Sequence, residues 1–375
     1  MKSATDHLKK KLTERKEKNA YRELRIASSD TIDFFTNDYL GFALPSVNTN
    51  FKDLKWGSTG SRLLGGNDIS HEKLEKFLAS FHHSDAALIF NSGYAANTGL
   101  FSCIAKRGDT FIYDEYVHAS IRDGIRLSLA HARSFLHNDL DYLEKKLTTA
   151  KGSVFVIVES VYSMDGDFAP LKALVKLCEK YKAALIVDEA HANGIFGKNG
   201  EGKVVEENLQ SKVFARVITF GKALGSHGAA VLGSEDLRNY LINYSRPFIY
   251  STALPPVAIE HIHSQYLRLN TEGENRRKLI SLIQYFNFSK EKSLIMKEHS
   301  PHSDSPIQTV ILAGNELVKA LSKKLLENNL DVRAILSPTV PEGKERLRIC
   351  LHSFNTENEI DLLFESISNN LLKGI

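Results

Sequence analysis

Cysteine is scarce in this chain: Cys103, Cys178 and Cys350 are the only three, and they lie far apart. They form no CxxC motif, which excludes the usual zinc and dithiol signatures, and an odd number of thiols suits a reducing compartment. No charge of one sign dominates either. Lys and Arg number 48 against 45 Asp and Glu, a net charge of +3, too balanced for a chain whose main partner is nucleic acid. No apolar run approaches the roughly 20 residues that span a bilayer. The N-terminal stretch has no apolar signal core, so the expected location is the cytoplasm, away from membranes. Repeats and low-complexity segments are also missing.

One further absence matters more. VDEAH (187–191) spells the acidic box of a helicase-type ATPase, but no G-x-x-x-x-G-K-[ST] loop accompanies it. GKNGEGKV and FGKALG both lack the Lys-Ser/Thr ending, so the phosphate cradle of such an enzyme is not available.

What the chain does have is a core and an alternating pattern. Of 375 residues, 42% are hydrophobic and 25% charged, which excludes disorder. Short apolar runs read as strands: ALIF (87–90), TFIY (110–113), SVFVIV (153–158), AALIVD (183–188), ARVITF (215–220) and AAVLG (229–233). Helical stretches at 116–130, 139–149 and 170–182 separate several of them, predicting an α/β fold around a mainly parallel sheet. After SRPFIYSTALPP (245–256) one long helix is predicted over 257–285. Strands at TVILAG (309–314) and RLRICL (346–351), with helices near 315–328 and 356–372, then predict a smaller α+β domain. The expected division is 1–45 as an N-terminal helix and arm, 46–275 as the large domain and 276–375 as the small one. Residues 8–25 read as a charged, solvated helix whose Leu8, Leu12 and Tyr21 touch the body.

Open α/β sheets bind ligands at the carboxyl ends of their strands, and here those ends are polar. AALIVD ends in Asp188, followed by Glu189 and His191, and SVFVIV leads to Glu159, Ser160 and Ser163. ARVITF carries Thr219 and runs into Lys222 between two glycines; ALIF runs into NSGYAAN (91–97). The last places a glycine where a strand meets a helix start, a potential anion site of exposed N–H groups. A lysine at a buried strand end is desolvated, which favours a neutral amine and imine chemistry. SMDGDFAP (163–170) lacks the spacing of a calcium loop and reads as a tight turn. His82, His83, His261 and His263 have no ligand partners at metal spacing and read as surface or structural groups; no metal is expected.

Together these blocks resemble the α-oxoamine synthases, a family of pyridoxal-phosphate (PLP) enzymes with the aspartate-aminotransferase fold, fold type I. The resemblance spans nearly the whole chain: NDYLGF (37–42), GSTGSRLLGGN (57–67), FNSGYAAN (90–97), DEYVHASIRDG (114–124), ESVYSMDGDFAPL (159–171), VDEAHANGIFGKNGEGK (187–203), TFGKALGSHGAAV (219–231), IYSTALPP (249–256) and PTVPEGKERLRICL (338–351). It implies that Lys222 would carry PLP covalently, that Asp188 would pair with the pyridine nitrogen, and that His118 would stack on the ring. Ser163 and His191 would contact the phenolic oxygen. Gly93, Tyr94 and Thr219 would hold the phosphate, joined by Ser251 and Thr252 of a partner subunit in a homodimer with shared active sites. Arg22, Asn37 and Arg348 would handle the amino-acid carboxylate and nearby groups, and Glu159 would stand behind them or on the acyl side. The implied reaction is decarboxylative condensation of an amino acid with an acyl thioester, with Lys222, His118, Asp188 and His191 as the catalytic set. GSTGSRLLGGN with PTVPEGKERLR resembles the biotin-synthesis branch, which joins L-alanine to a pimeloyl thioester of coenzyme A or acyl-carrier protein. Glycine C-acetyltransferase and serine palmitoyltransferase are the sister alternatives. Three departures stand out: Tyr94 where relatives carry Phe, Ile349–Cys350 where they carry Leu-Thr, and a short segment at 287–305.

Overall fold

The computed structural model describes residues 4–26, 28, 30–44, 54–372 and 374. The division expected between 45 and 46 falls outside them. Two compact units divide the chain: Leu40–Ser163 with Phe168–Arg276, and Met1–Tyr39 with Met164–Asp167 and Arg277–Ile375. In chain order the strands are β1 (Ile32–Asp33), β2 (Ala86–Phe90), β3 (Thr110–Asp114), β4 (His131–Phe135), β5 (Val154–Glu159), β6 (Ala184–Asp188), β7 (Ala215–Thr219), β8 (Ala229–Gly233), β9 (Ile307–Ile311), β10 (Leu330–Asp331), β11 (Arg333–Ile335) and β12 (Arg346–Cys350).

The larger unit is built on a seven-stranded sheet of order β2-β8-β7-β6-β5-β3-β4. Only β8 runs against its neighbours; the pairs β7–β6, β6–β5, β5–β3 and β3–β4 are parallel. Because β8 is reversed between β2 and β7, the carboxyl ends of the other strands share one edge. Alternate residues feed two separate cores. Phe111, Phe155, Ile157 and Ile186 face one side. Ile112, Val156, Val158, Leu185 and Val187 face the other. Burial on both faces explains why these strands read as continuous apolar runs.

The exception is β4, whose sequence HARSF hides only Phe135. It is an edge strand and carries no apolar pattern to read.

Helices α2 (Ile69–Phe81), α3 (Gly93–Phe101), α4 (Ala119–Leu127), α5 (Leu140–Leu147) and α6 (Leu171–Tyr181) follow the charged helix α1 (Ala4–Glu17). Helices α3 and α4 cross closely because Gly124 has no side chain: a Cβ there would lie 2.9 Å from the carbonyl oxygen of Asn97.

Three expectations need correction. The N-terminal helix ends at Glu17 rather than 25, and its Leu8 and Leu12 are exposed, 61% and 49%, instead of packed. The single helix expected over 257–285 is two, Pro256–Thr271 and Gly273–Lys290, because Glu272 leaves helical geometry just before Gly273. The strand expected at 309–314 is β9, Ile307–Ile311.

The smaller unit holds an antiparallel sheet of order β11-β12-β9. Segment 32–39 belongs to it: β1 pairs in parallel with β10, and the Cys350 N–H donates to the Phe34 carbonyl at 2.8 Å.

In the larger unit a buried ion pair secures the segment after β6. Arg216 of β7, with its side chain 2% exposed, lies 3.4 Å from Glu189, which is fully buried. Arg216 also donates to the His82 carbonyl, and Glu189 accepts the Val204 N–H at 2.9 Å. Removing one partner leaves the other charge buried and unpaired. Arg216→Met should therefore lower the unfolding free energy by about 3–5 kcal/mol, measurable by denaturant titration. A loss within about 0.5 kcal/mol would show that the pair secures nothing.

Candidate active site

Register builds the site first. Glu159 and Asp188 are aligned partners at the ends of β5 and β6. Phe90 and Thr219 both pair with Ala229, so the ends of β2 and β7 flank the start of β8.

The β2 end turns directly into α3. Ser92 caps that helix by accepting the Ala95 N–H at 3.1 Å, and the Gly93 and Tyr94 N–H groups, at the helix start, have no helical carbonyl to bond. Thr219 stands against the same turn: a Cβ on Gly93 would sit 2.7 Å from the Thr219 methyl. Gly93 is glycine because β7 comes that close. The Tyr94 side chain is half exposed and bonds the Asp123 carboxylate of α4, leaving its backbone at the helix start.

Asp188 is 5% exposed, and each of its oxygens has one donor. Its Oδ1 accepts the Ala190 N–H at 2.9 Å, and its Oδ2 accepts Asn97 Nδ2 at 2.8 Å. Asn97, one turn after Gly93 on α3, also donates to Ser120 Oγ at 3.1 Å. Ser120 Oγ lies 2.7 Å from Nδ1 of His118, the residue that caps α4. Asn193 donates to the Thr219 carbonyl at 3.0 Å, holding the segment after β6 against β7.

Glu159 lies beneath His118 and accepts its backbone N–H at 2.5 Å. Burial, and next the adjacent Asp188 carboxylate, push the Glu159 carboxyl up to about 8; Lys222 and the N–H groups of His118 and Ser163 oppose this. His118 is held below the ordinary histidine value. Loss of hydration at the ring is the main cause, and the Lys222 ammonium adds to it against the pull of Asp188. The charges of Lys222 and Asp188 thus reach both His118 and Glu159. An amine, a bonded carboxylate, an imidazole and an N–H-rich helix start converge at one sheet edge. Such a set can bind an anionic, ring-bearing group and move protons beside it.

The class I and II aminotransferase model matches residues 29–367. The chain belongs to the class I and II aminotransferase family. Within that family it is 41% identical to the 8-amino-7-oxononanoate synthase of Emericella nidulans, over 97% of this chain and 95% of that protein. The Lysinibacillus sphaericus 8-amino-7-oxononanoate synthase is 36% identical, covering 96% and 97%. Among solved structures, the 8-amino-7-oxononanoate synthase of Francisella tularensis aligns with a TM-score of 0.79 at 32% identity, covering 92% and 99%. A serine palmitoyltransferase of S. paucimobilis, solved with PLP and myriocin bound, aligns with a TM-score of 0.88 at 26% identity, covering 98% of each chain.

Of the residues that the aminotransferase-family resemblance singled out, the larger unit holds Gly93, Tyr94, His118, Glu159, Ser163, Asp188, His191, Thr219, Lys222, Ser251 and Thr252. His191 is buried, 5% exposed. The Thr252 carbonyl accepts Asn91 Nδ2 at 2.7 Å, which ties segment 251–252 to the turn after β2. Arg22, Asn37 and Arg348 lie in the smaller unit. There Arg348, on central strand β12, donates to Asn37 Oδ1 at 3.1 Å and to Cys350 Sγ at 3.0 Å. The sulfur of Cys350 thus takes a bond from the guanidinium. Arg22 is exposed and donates to Thr339 at 3.3 Å. His82 is structural, bonded to the Glu201 carbonyl and the Tyr266 hydroxyl. No cluster of metal-binding side chains occurs among the described residues.

Sequence reading missed Asn97, Ser120 and Asn193. All three stand inside quoted blocks: FNSGYAAN, DEYVHASIRDG and VDEAHANGIFGKNGEGK. Gly93 and Asn97 are four apart on a helix, so the turn that exposes N–H groups also presents an amide on the same face.

The raised Glu159 carboxyl has a consequence for pH. A carboxyl whose folded pKa exceeds its unfolded value binds its proton more tightly in the native state. Its contribution is therefore lost as pH rises from the ordinary 4.5 towards about 8. Glu159→Gln should flatten the fall in melting temperature of the ligand-free protein across that window. An unchanged slope would assign the titration to another group.

Proposed function

We propose that the chain binds PLP and condenses L-alanine with a pimeloyl thioester, forming 8-amino-7-oxononanoate and releasing CO2 and the thiol carrier. What carries the reading is the strand-end cluster of Asp188, His118 and the α3 start around Lys222, in a chain whose curated relatives are 8-amino-7-oxononanoate synthases.

The residues present fit PLP on structural grounds. The α3 start offers N–H groups to a phosphate, and the absent Cβ of Gly93 leaves the approach open beside Thr219. Asp188, kept as a bonded carboxylate, matches a protonated pyridine nitrogen. Lys222 would attach the cofactor, His118 would cover the ring, and Ser163 and His191 would meet its phenolic oxygen. Ser251 and Thr252 of a second copy would complete the phosphate site in a homodimer. When bound, PLP supplies an electron sink that lets the amino-acid α-carbon give up first a proton and later CO2.

The remaining steps belong to the chain. The Lys222 amine removes the α-proton and returns one at the end. Asp188 retains the pyridine proton by its charge. Arg348, braced by Asn37, anchors the alanine carboxylate as a charge-assisted fork. With the cofactor bound, the alanine α-carbon would replace the thiol carrier on the thioester carbonyl, the carrier leaving as its thiol, and the carboxylate would leave as CO2 with a proton taking its place.

Serine palmitoyltransferase is the second reading, favoured by the higher TM-score of 0.88 but opposed by the lower identity of 26%. Assaying alanine, glycine and serine against acetyl, pimeloyl and palmitoyl thioesters separates the two. The expected optimum is alanine with the pimeloyl thioester, with incomplete discrimination against glycine because one methylene-sized difference is worth about 1–3 kcal/mol. A highest kcat/KM for serine with the palmitoyl thioester would replace this reading by the sister one.

The Gly93 contact gives a second check. Gly93→Ala should weaken PLP affinity about 10-fold or more by driving a methyl into Thr219, a clash of the overpacking kind. Thr219→Ser in that background removes the opposing methyl, keeps the hydroxyl and should recover part of the loss. Equal PLP affinity for wild type and Gly93→Ala, by absorbance titration, would remove the phosphate role from this turn.

A further inference from the structure

Helix α4 begins in an unusual way: its capping group is an imidazole. His118 Nδ1 accepts the Ser120 backbone N–H at 3.2 Å. A backbone N–H can only donate, so the Nδ1 lone pair points at it and Nδ1 carries no proton. The Ser120 hydroxyl lies 2.7 Å from the same nitrogen. Its single proton is directed there, because an Nδ1 without a proton can only accept; the oxygen of Ser120 in turn accepts from Asn97 Nδ2 at 3.1 Å.

The direction of the Asn97 amide is settled in turn by Asp188. A carboxylate accepts only, and Asn97 Nδ2 stands 2.8 Å from Oδ2. Donation therefore runs outward from Asn97 both ways, to Asp188 and through Ser120 to His118. Ser120 is fully buried and Asn97 is 2% exposed, so water does not scramble the order. Gly124 allows the α3–α4 approach on which this chain of bonds depends.

We propose that Ser120 is a positioning residue that fixes His118 as the neutral tautomer with its proton on Nε2, and that Asn97 extends the same bond chain to Asp188. The proposal rests on the functional reading above only for its use in catalysis. A ring held this way carries its proton on Nε2, a donor, and has no lone pair there with which to take a proton. His118 then steers an acyl carbonyl or carboxylate oxygen by donating to it, and proton removal is left to Lys222. Protonating Nδ1 would turn it against the Ser120 N–H, cost α4 its cap and put a cation at the positive end of the helix dipole. The depressed pKa of His118 agrees with this.

The test is a two-bond proton–nitrogen correlation spectrum of the holoenzyme labelled with 15N-histidine, near neutral pH, with His118→Gln used to assign the resonance. The expected result is an Nε2–H neutral pattern for His118. An Nδ1–H pattern or an imidazolium pattern in the wild type overturns the proposal without any variant. Ser120→Ala, with retained PLP uptake as the check on folding, should move the Nδ1 resonance. It should also lower kcat about 10-fold, within the usual range for a misplaced acid–base group, with KM for alanine little changed. Ser120→Thr, which keeps the hydroxyl, should restore both readouts. An unmoved Nδ1 resonance with unchanged kcat in Ser120→Ala overturns the proposal. Because the spectrum is read without turnover, an Nε2–H signature in a protein inactive towards every thioester would overturn the functional reading and leave this one standing.

Discussion

A carboxylate taken out of water must be surrounded by donors that do not move, and Asp188 is the residue on which this requirement falls. Its two oxygens take one bond from Ala190 on its own chain segment and one from Asn97 on α3. The second bond does the organising. It brings α3 to the carboxyl end of β6, so the start of α3, one turn earlier, opens at the same sheet edge. It also draws in α4, because the amide that serves Asp188 serves Ser120 as well. The glycine at 124 and the capping imidazole at 118 follow from that proximity.

Strand direction supplies the second constraint. Reversing β8 alone leaves β2, β7, β6, β5, β3 and β4 pointing one way, so groups at or after the ends of five of them, β2, β3, β5, β6 and β7, meet at one edge. Pairing puts Glu159 directly beside Asp188. Two neighbouring carboxyls in a buried place do not both ionise easily, and their surroundings separate them. Asp188 has an amide and a backbone donor at hydrogen-bonding distance. Glu159 is more deeply buried, 3% exposed against 5%, and its pKa rises to about 8. Glu159 holds the His118 backbone in place.

The smaller unit shows how the ends of the chain are joined. The strand β12 lies between β11 and β9, and its Arg348 is braced by Asn37, itself bonded to the Tyr39 hydroxyl at 3.0 Å. Residues separated by more than 300 positions thereby form one polar cluster around a guanidinium. Burial of such a group is tolerable because Asn37 and the Cys350 sulfur take its N–H donors.

Much of this was legible in the chain itself. The central strands were, because burial on both faces demands unbroken apolar runs, and so was the position of Asp188, Thr219 and Gly93 at or just after strand ends, because polar residues and glycine mark where such runs stop. The edge strand β4 was not, since HARSF has almost nothing to bury. The break at Glu272 was hidden inside a continuous helical pattern. Asn97 and Ser120 were present in quoted blocks yet unassigned, since an amide or a hydroxyl acquires a role only from the group facing it. Sequence alone therefore determined which elements form and which ionisable side chains stand at their ends, both local consequences of hydrophobic period and turn chemistry. Tertiary structure alone decided that the Glu159 carboxyl is raised and that one amide, Asn97, serves both Asp188 and Ser120, because both depend on groups brought together by packing between segments far apart in the chain.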